Sequence, residues 1–366
     1  MTKNSQNTSI VEHLEKLIEF QTYAGNMPQT DACFNYLQTI LSETGMHVER
    51  HTSDGFPSLI ATTKASSHPK VFLQAHLDVV PAKPAQFKLT EKSGKLYGRG
   101  SYDMKFAVAC YIQLVIDLKA QLHNYDFGIM LSCDEEIGGE NGVCYLLNKG
   151  YGAEVCILPD GGNDWKIETS CNAVWIARLV ADGQSAHGSR PWEGRNAINN
   201  LVDGLNEIHS LFGELKPYKN SVTISKIHGG EAMNQVPDEA EAILDMRFIN
   251  DREYTNLSKS IMRIAKSLNL NLETVAYVKA RNVNVNQPEV KSFIKLAGKL
   301  LGKPIIKTHS FGASDACYFA DHDIPTIVIR PIGDGAHSDH EWIEKDSLFT
   351  FYEVMKRYIT ETTKIN

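Results

Sequence analysis

The feature that most constrains the fold is the run Val71–Val80, Val-Phe-Leu-Gln-Ala-His-Leu-Asp-Val-Val, which is almost continuously apolar. Strands of this composition are buried on both faces, as in a sheet that helices cover on both sides. The polar members His76 and Asp78 fall late in the run. Open α/β sheets place their binding crevices at that end of their strands. The run therefore predicts a central strand of an α/β sheet that delivers polar groups to one edge.

Two further apolar runs end in the same way. Phe127–Ser132 is followed by the three carboxylates Asp134 to Glu136, and Val155–Leu158 is followed by Pro159 and Asp160. Helices are predicted between the strands, the longest over 104–122. Strand, crossover helix and strand in this order are typical of a parallel sheet.

The pattern changes after about Asn172, where alternating strands are predicted at 174–181, 222–227, 241–248 and 271–278. With helices at 196–211 and 252–268, the order is β-α-β-β-α-β, that of a ferredoxin-like sandwich. We therefore predict three segments: the first part of one domain (1–172), an inserted α+β domain (173–284), and the second part of the first domain (285–366).

Composition excludes several classes of partner. The chain has 366 residues, 42% hydrophobic content and a formal net charge of -7. No Lys/Arg run stands out, which argues against nucleic acid and anionic membranes as partners. No apolar run has the length of a signal core or a membrane span. The seven cysteines contain no CxxC pair and most lie in apolar runs, as buried free thiols do. These features predict a reduced, cytoplasmic protein.

The carboxylates at the strand ends suggest a bound cation, since massed carboxylates in apolar surroundings repel one another and resist desolvation. In Asp134-Glu135-Glu136, one glutamate would bind a metal ion. The other would act as a general base on a metal-bound water. A solvated turn is the alternative interpretation.

The single polar residues are more ambiguous. His76 and Asp78 would share one face of a strand, so that the histidine could bind metal while the aspartate holds its ring. A satisfied polar pair explains them as well. Asp103 follows the Gly-rich turn Gly98-Arg-Gly-Ser and could equally be the N-cap of the next helix.

Asp160 and a late histidine complete a set of N and O donors suited to zinc. Histidines occur at both His337 and His340, and the donor chemistry does not choose between them. Two metal ions would need a bridging carboxylate, with the ions roughly 3.5–4 Å apart.

Several motifs together resemble one family. They are His76-Leu-Asp78, Gly98-Arg-Gly-Ser-Tyr-Asp103-Met-Lys, Asp134-Glu-Glu, Ala186-His-Gly-Ser-Arg-Pro-Trp-Glu-Gly-Arg-Asn-Ala, Asn234-Gln-Val-Pro, Asp245-Met-Arg and His337-Ser-Asp-His-Glu. The chain resembles, over its whole length, the zinc metallopeptidases that include acetylornithine deacetylase, succinyl-diaminopimelate desuccinylase, carboxypeptidase G, aminoacylase, peptidase T and the dipeptidases related to carnosinase. The resemblance implies a helix-covered, mostly parallel sheet of the zinc exopeptidase type. It also implies that segments 1–172 and 285–366 form a catalytic domain and that the inserted α+β segment 173–284 is a ferredoxin-like dimerisation (lid) domain.

The resemblance also implies site roles. It implies two zinc ions per subunit, with Co²⁺ or Mn²⁺ as possible substitutes. The implied roles are His76 and Asp160 on one zinc, Glu136 and His337 on the other, Asp103 as the bridge, Asp78 as the residue that orients His76, and Glu135 as the general base. His337 is preferred over His340 because it stands four residues before Glu341, as in the family's terminal motif.

Further implied residues contact substrate. His187 would stabilise the oxyanion, in dimeric relatives from the other subunit. Asn234, Arg247, Gly312 and Ser314 match positions that bind substrate. Read without the family, Arg247 could be a paired surface charge, Asn234 a turn residue and His187 an ordinary loop histidine.

The expected activity is hydrolysis of an amide bond in a small N-acyl amino acid or short peptide by a homodimeric enzyme, with Glu135 acting on a metal-bridging water. The alternative is a non-catalytic binding or scaffold relative. Aspartate at Asp160 favours peptides with a free amino terminus, as in many of the family's dipeptidases and aminopeptidases. Ala316-Cys317-Tyr318 lacks the arginine of the desuccinylases, which disfavours succinyl-diaminopimelate.

Overall fold

The computed structural model describes residues 3–365, which divide into two compact units. The first unit comprises the chain up to Thr169, Val283–Thr308 and the chain from Ser314, and the second comprises Ser170–Asn282 and His309–Ala313. No helix in the described range is long and apolar enough to cross a membrane.

The first unit is built on a central sheet. The sheet has nine strands. Seven of them, in spatial order, are His47–Ser53, Phe56–Thr62, Phe127–Ser132, Val71–His76, Val155–Leu158, Thr326–Val328 and Ile167–Cys171, and the short strands Arg281–Asn282 and Lys307–Ser310 both pair with Ile167–Cys171. The four strands from Phe127–Ser132 to Thr326–Val328 run parallel, and the strands flanking them are antiparallel. This is the α/β sheet that the apolar runs predict.

Helices cover both faces of this sheet. They are Lys3–Glu19, Met27–Glu43, Lys105–Leu118, Tyr145–Asn148, Pro288–Leu301, Ala316–Asp321 and Lys345–Thr362. Val71 and Leu73 belong to one apolar core, while Phe72, between them, belongs to a second core that includes Phe319. Successive side chains of a strand point to opposite faces. The nearly continuous apolar composition of this strand thus reflects burial on both sides.

The predicted extent of the central strand is wrong in one respect that matters for the site. The strand ends at His76 rather than continuing to Val80, so Asp78 does not share a strand face with His76. The Leu77 amide still donates to the Ser132 carbonyl of the neighbouring strand. The next hydrogen bonds are made with Thr22 instead: the Thr22 hydroxyl donates to the Leu77 carbonyl, and the Val79 amide donates to the Thr22 carbonyl. Asp78 therefore reaches His76 from a loop.

A small antiparallel sheet positions two loops of the first unit. Its strands, in spatial order, are Gly333–Asp334, Trp342–Glu344, Lys95–Tyr97 and Thr90–Lys92. Because Trp342 pairs with Tyr97, the loop before Trp342 lies beside the Gly-rich turn that follows Tyr97. Strands of two or three residues carry no readable periodicity, and the sequence did not predict them.

The second unit has the predicted β-α-β-β-α-β order. Its sheet, in spatial order, is Ser221–Gly229, Glu239–Phe248, Ala173–Asp182 and Leu270–Val278, all antiparallel, with helices Ala197–Ser210 and Asp251–Ser267. Side chains from both helices and the sheet, among them Trp175, Leu201 and Ile261, form one apolar core. A separate short hairpin pairs Ala186–His187 with Gln235–Val236. Whether this unit is a lid or a dimerisation domain stays a prediction.

Candidate metal centre

Six of the predicted site residues come together in the first unit. They form two groups of three, each with its ligand atoms within 4.8 Å of one another: His76, Glu135 and Asp160, and Asp103, Glu136 and His337. The first group is delivered by three neighbouring parallel strands, which end at His76, Ser132 and Leu158. Strands that run parallel present their carboxyl ends at one edge of a sheet, where open α/β sheets bind ligands.

Asp103 lies between the two groups. Its Oδ1 atom is 3.3 Å from Nε2 of His76, and its Oδ2 atom is 3.4 Å from Nε2 of His337. Nε2 of His337 is also 2.9 Å from Oε2 of Glu136. The two carboxylate oxygens of Asp103 thus face different groups, as a bridging ligand requires. The alternative role of Asp103 as a helix cap is wrong, since Met104 holds the N-cap position and Asp103 faces the histidines.

The donor atoms fit a metal ion. Nε2 of His76 and Oδ1 of Asp103 are buried, yet neither has a hydrogen-bond partner within the described chain. On the other side of the ring, Nδ1 of His76 is 3.0 Å from the Asp78 carbonyl oxygen and 3.5 Å from Oδ1 of Asp78. A metal-binding histidine commonly has its second nitrogen held in this way, which fixes the tautomer and aims the free nitrogen at the ion.

The electrostatics of the centre are strongly perturbed. Burial opposes the charging of His76, but the carboxylates of Asp103 and Asp78 outweigh it and raise its pKa well above the usual range. Hydrogen bonding to Asp103 and Glu136 raises the pKa of His337 to about 10. Both histidines thus hold protons tightly beside the carboxylates. Metal binding would displace those protons and would be strongly pH-dependent.

Two carboxylates in the first group are hard to ionise. Burial, together with the charge of Asp160, raises the pKa of Glu135 well above its usual range. Burial and the charge of Asp103 raise the pKa of Asp160 to about 7. Carboxylates crowded at this spacing favour a nearby cation or a shared proton. A raised pKa also makes the Glu135 carboxylate a stronger base than a free glutamate.

The three consecutive acidic residues, Asp134 to Glu136, make different contacts. Asp134 turns away from the centre and accepts hydrogen bonds from the amides of Asn141 (2.7 Å) and Gly142 (3.0 Å), which fixes the following turn. Burial raises the pKa of Asp134 to about 6. The amide of Glu136 donates to Oδ2 of Asp78 at 2.9 Å. Asp78 therefore contacts both His76 and the segment that carries the two glutamates.

Glu341 is a site residue whose role the sequence did not reveal. Its carboxylate is buried and accepts hydrogen bonds from the amides of Gly100 (2.9 Å), Tyr102 (2.8 Å) and Asp103 (2.9 Å), and from Nη1 of Arg99 (2.7 Å). This single side chain holds the turn that presents Asp103. The terminal His-x-x-x-Glu spacing was the only signal, and it served to select His337 rather than to assign Glu341.

Asp315 is a second residue that the sequence left without a role. Its Oδ2 atom is 3.0 Å from Nε2 of Gln74 and 3.3 Å from the Ser132 hydroxyl, and both groups lie near the ends of strands that supply the site. Burial raises the pKa of Asp315 well above its usual range. Asp315 therefore links two strand ends by hydrogen bonds.

The remaining predicted residues are placed as follows. In the second unit, His187 lies in the short hairpin, where its Nδ1 atom is 2.8 Å from the Ser189 hydroxyl, and Asn234 accepts from the Gly188 amide through its carbonyl. Arg247 pairs with Asp245 through two hydrogen bonds, of 2.6 and 2.8 Å. Gly312 belongs to the second unit and Ser314 to the first. The substrate roles of these residues stay predictions.

The fold and the paired ligand groups define a class, the α/β metallohydrolases. A family model described as Peptidase family M20/M25/M40 matches residues 72–361. The chain therefore belongs to this family and is a hydrolase that acts on amide or peptide bonds. The family named from the sequence motifs is thereby confirmed.

Individual relatives carry different activities in their names. The chain is 26% identical to a succinyl-diaminopimelate desuccinylase of Rickettsia bellii, over 96% of each chain. Among solved structures, it is similar to a tripeptidase of Staphylococcus aureus, with TM-score 0.80 and 19% identity, over 97% of this chain and 98% of the other. It is also similar to an M20 family metallo-carboxypeptidase of Sulfolobus solfataricus, with TM-score 0.78 and 16% identity, over 96% of this chain and 98% of the other. These structures confirm the predicted fold class.

Proposed function

We propose that the protein is a two-metal amidohydrolase that cleaves a small N-acyl amino acid or a short peptide, with Glu135 as its general base. The observation that carries the proposal is the position of Asp103, whose two carboxylate oxygens face His76 and His337 at 3.3 and 3.4 Å. This geometry suits one ion on each side of a shared carboxylate. His76 and Asp160 would hold one ion, and Glu136 and His337 the other. Zinc is the ion that we propose, and cobalt or manganese would suit the same donors.

The metal ions would supply Lewis acidity to the substrate carbonyl. The chain supplies the proton transfers. Glu135 lies within 4.0 Å of His76, between the Oε2 and Nε2 atoms, and is not needed to complete the proposed ligand set. Its carboxylate would take a proton from the attacking water and pass it to the leaving amine. The protonated carboxyl group is then the acid that returns the proton, so one side chain serves both steps.

We assign substrate contacts to the remaining predicted residues. His187 would stabilise the developing oxyanion, because an imidazole N–H is a suitable donor to such an oxygen. Its Nδ1 atom lies against Ser189, which leaves Nε2 for this role. Asn234, Arg247, Gly312 and Ser314 would bind the rest of the substrate. A His187→Ala variant should keep its fold and lower kcat, and an unchanged kcat would remove His187 from the mechanism.

The test of the catalytic assignment is Glu135→Gln, which preserves the shape of the side chain and removes the base. We expect kcat to fall by about 10²–10⁴-fold, the usual contribution of general base catalysis. Zinc content measured by mass spectrometry should stay at the wild-type level. Glu140→Gln is the matched control, because Glu140 lies on the same loop and is exposed. Near-wild-type turnover of Glu135→Gln would disprove the assignment.

The substrate class is tested with a panel of N-acetyl and N-succinyl amino acids and dipeptides, each assayed with Zn²⁺, Co²⁺ and Mn²⁺. Aspartate at Asp160 favours dipeptides, whereas the desuccinylase relatives favour the succinyl compounds. A binding or scaffold relative would hydrolyse none of them even when fully loaded with metal.

We further propose a cytoplasmic homodimer. In the second unit, Ser221–Gly229 is the outer strand of its sheet and pairs on one side only within the described part of a single chain. Ile224 and Ile227 are exposed on this strand, 42% and 58%. An open edge with exposed apolar side chains is a ready surface for pairing with a second chain. No disulfide joins any of the seven cysteines, which all lie within residues 3–365, and this supports a reducing compartment.

Light scattering tests the dimer directly. The wild-type protein should have twice the chain mass, and Ile227→Lys should shift it towards the monomer with its fold intact. Ile137→Lys is the control, since Ile137 is 55% exposed but lies in the first unit. A monomeric wild-type protein under assay conditions would refute this part of the proposal.

A further inference from the structure

Arg330 lies beside the metal centre, and none of the roles assigned above uses it. It follows the strand Thr326–Val328, at the same edge of the sheet that supplies the ligands. Its side chain is largely buried, with 11% exposure. An arginine carries its charge at every accessible pH, and burying that charge without a partner is costly. A buried guanidinium at this position therefore requires an explanation.

Three contacts hold Arg330 in place, two through its guanidinium and one through its backbone amide. Its Nε donates to Oδ1 of Asn163 at 2.7 Å, and the group stacks over the Tyr102 ring, with 4.1 Å between its carbon and the ring centroid. The amide of Arg330 faces the Gly162 carbonyl at 3.5 Å. Arg330 thus has a fixed position rather than a mobile one.

The far end of the side chain points at two proposed ligands. Nη1 is 3.9 Å from Oδ1 of Asp103 and 4.0 Å from Oδ1 of Asp160. Both distances are too long for hydrogen bonds, and Nη1 is buried without a hydrogen-bond partner in the described chain. At this range, charges still interact strongly, because buried pairs are screened far less than exposed ones.

The charge of Arg330 lies closer to one half of the centre, the group with His76 and Asp160, than to the other half, the group with Glu136 and His337. Oδ1 of Asp103 faces both His76 and Arg330, whereas Oδ2 faces His337. Asp160, the other carboxylate near Nη1, belongs to the same half as His76. The guanidinium therefore acts mainly on one half of the centre.

We propose that Arg330 is a built-in cation of the metal centre that weakens metal binding at the half formed by His76 and Asp160 relative to the half formed by Glu136 and His337. This inference rests on the two-metal function proposed above. The positive charge repels an incoming divalent ion. It also stabilises the ionised carboxylates of the metal-free site, which reduces the free energy gained when the ion binds. Both effects favour loss of this ion first.

Arg330 is a positioning residue in this scheme, since it acts on the ion through Nη1, which is buried behind the carboxylates of Asp103 and Asp160. The competing explanation is a purely structural role, in which Arg330 only packs on Tyr102 and braces Asn163. The two explanations predict opposite changes in metal affinity when Arg330 is replaced. Loss of a brace would misplace Asp160 and weaken metal binding, whereas loss of a repelling charge would strengthen it.

The experiment is a calorimetric titration of the metal-stripped, full-length protein with Zn²⁺. Wild-type protein should bind two ions in distinct steps, the second at least tenfold weaker. Arg330→Met keeps the length of the side chain and removes its charge, and it should tighten the second step at least tenfold while the first changes less than threefold. Arg330→Lys retains a charge and should keep the second step weak. Asp160→Asn should remove the weaker step, which assigns it to the half with His76.

Two further variants complete the design. Arg330→Gln is a second neutral substitution that can still bond to Asn163, and it serves if the methionine variant does not fold. Arg178→Met is the matched control, because Arg178 pairs with Glu241 and Glu273 in the second unit and its loss should leave both steps unchanged.

The outcomes separate this inference from the function beneath it. An unchanged or weaker second step in the neutral variants, or two equal steps in the wild-type protein, would overturn the role of Arg330 and leave the two-metal hydrolase standing. A wild-type protein that binds no zinc would overturn both.

Discussion

Glu341 offers the most direct test of how the Asp103 turn is held. The substitution Glu341→Gln replaces one carboxylate oxygen by an NH₂ group. Either the amides of Tyr102 and Asp103, or Arg99 and the amide of Gly100, would then face a donor instead of an acceptor. The change is therefore small in volume but removes two hydrogen bonds to a charged acceptor.

The expected loss follows from those contacts. Hydrogen bonds to charged groups contribute about 1.5–3 kcal/mol each, so losing two costs roughly 3–6 kcal/mol. The buried Arg99–Glu341 ion pair, with 3% and 0% side-chain exposure, gives a similar value, because breaking such a pair costs about 3–5 kcal/mol. At about 2–4 °C per kcal/mol for a unit of this size, a loss of 3–6 kcal/mol should lower Tm by roughly 6–24 °C.

Thermal unfolding and zinc titration together provide the assay. Because the amide of Asp103 is one of the groups released, zinc affinity should fall by about 10–100-fold, as for other residues that support metal ligands. The control is Asp339→Asn in the same loop, where Asp339 pairs with Lys83 and both are well exposed, so little change is expected. A Glu341→Gln protein that keeps wild-type Tm and zinc affinity would refute the proposal that Glu341 supports the centre.

Three other outcomes are expected. Burial raises the pKa of Asp134 from 3.8 to about 6, so protonated Asp134 stabilises the fold fully below about pH 4, and this stabilisation is lost as the pH rises to 6. The neutral variant Asp134→Asn should not lose it. In urea unfolding, the variant should therefore gain up to about 3 kcal/mol in the free energy of unfolding relative to the wild type at pH 7. Gly139→Ala should cost roughly 2–4 kcal/mol, because φ is +73° and the new Cβ would lie 2.3 Å from Asp315, whereas Gly150→Ala, with open space around it, should cost only about 1 kcal/mol. Chelation should abolish activity and lower Tm, and Zn²⁺ at 100 times its Kd should restore about 2.7 kcal/mol of stability; activity that survives complete metal removal would contradict the metal mechanism.

Much of the metal centre could be predicted from the sequence, because the ends of buried strands can be recognised there. The polar residue at or just after the end of an apolar strand lies at the edge of the sheet. His76, Glu135 and Asp160 were therefore predictable from the local pattern of apolar and polar residues. The family motifs added Asp103 and His337. For Asp78, only the predicted position on the strand was wrong, because the hydrogen bonds beyond Leu77 are made with Thr22, which lies more than 50 residues earlier.

What the sequence by itself determined was the alternation of apolar runs and polar ends, and with it the α/β sheet, the second unit's β-α-β-β-α-β order and the donors at the sheet edge. Hydrophobic periodicity is local, so it can be read without knowing the fold. Only the tertiary structure decided which long-range groups support those donors: Glu341 under the Asp103 turn, Asp315 between two strand ends, and Arg330 beside Asp103 and Asp160. Those roles depend on contacts between residues that are far apart in the chain and come together across a small sheet or at a strand edge. Local sequence patterns do not predict such contacts.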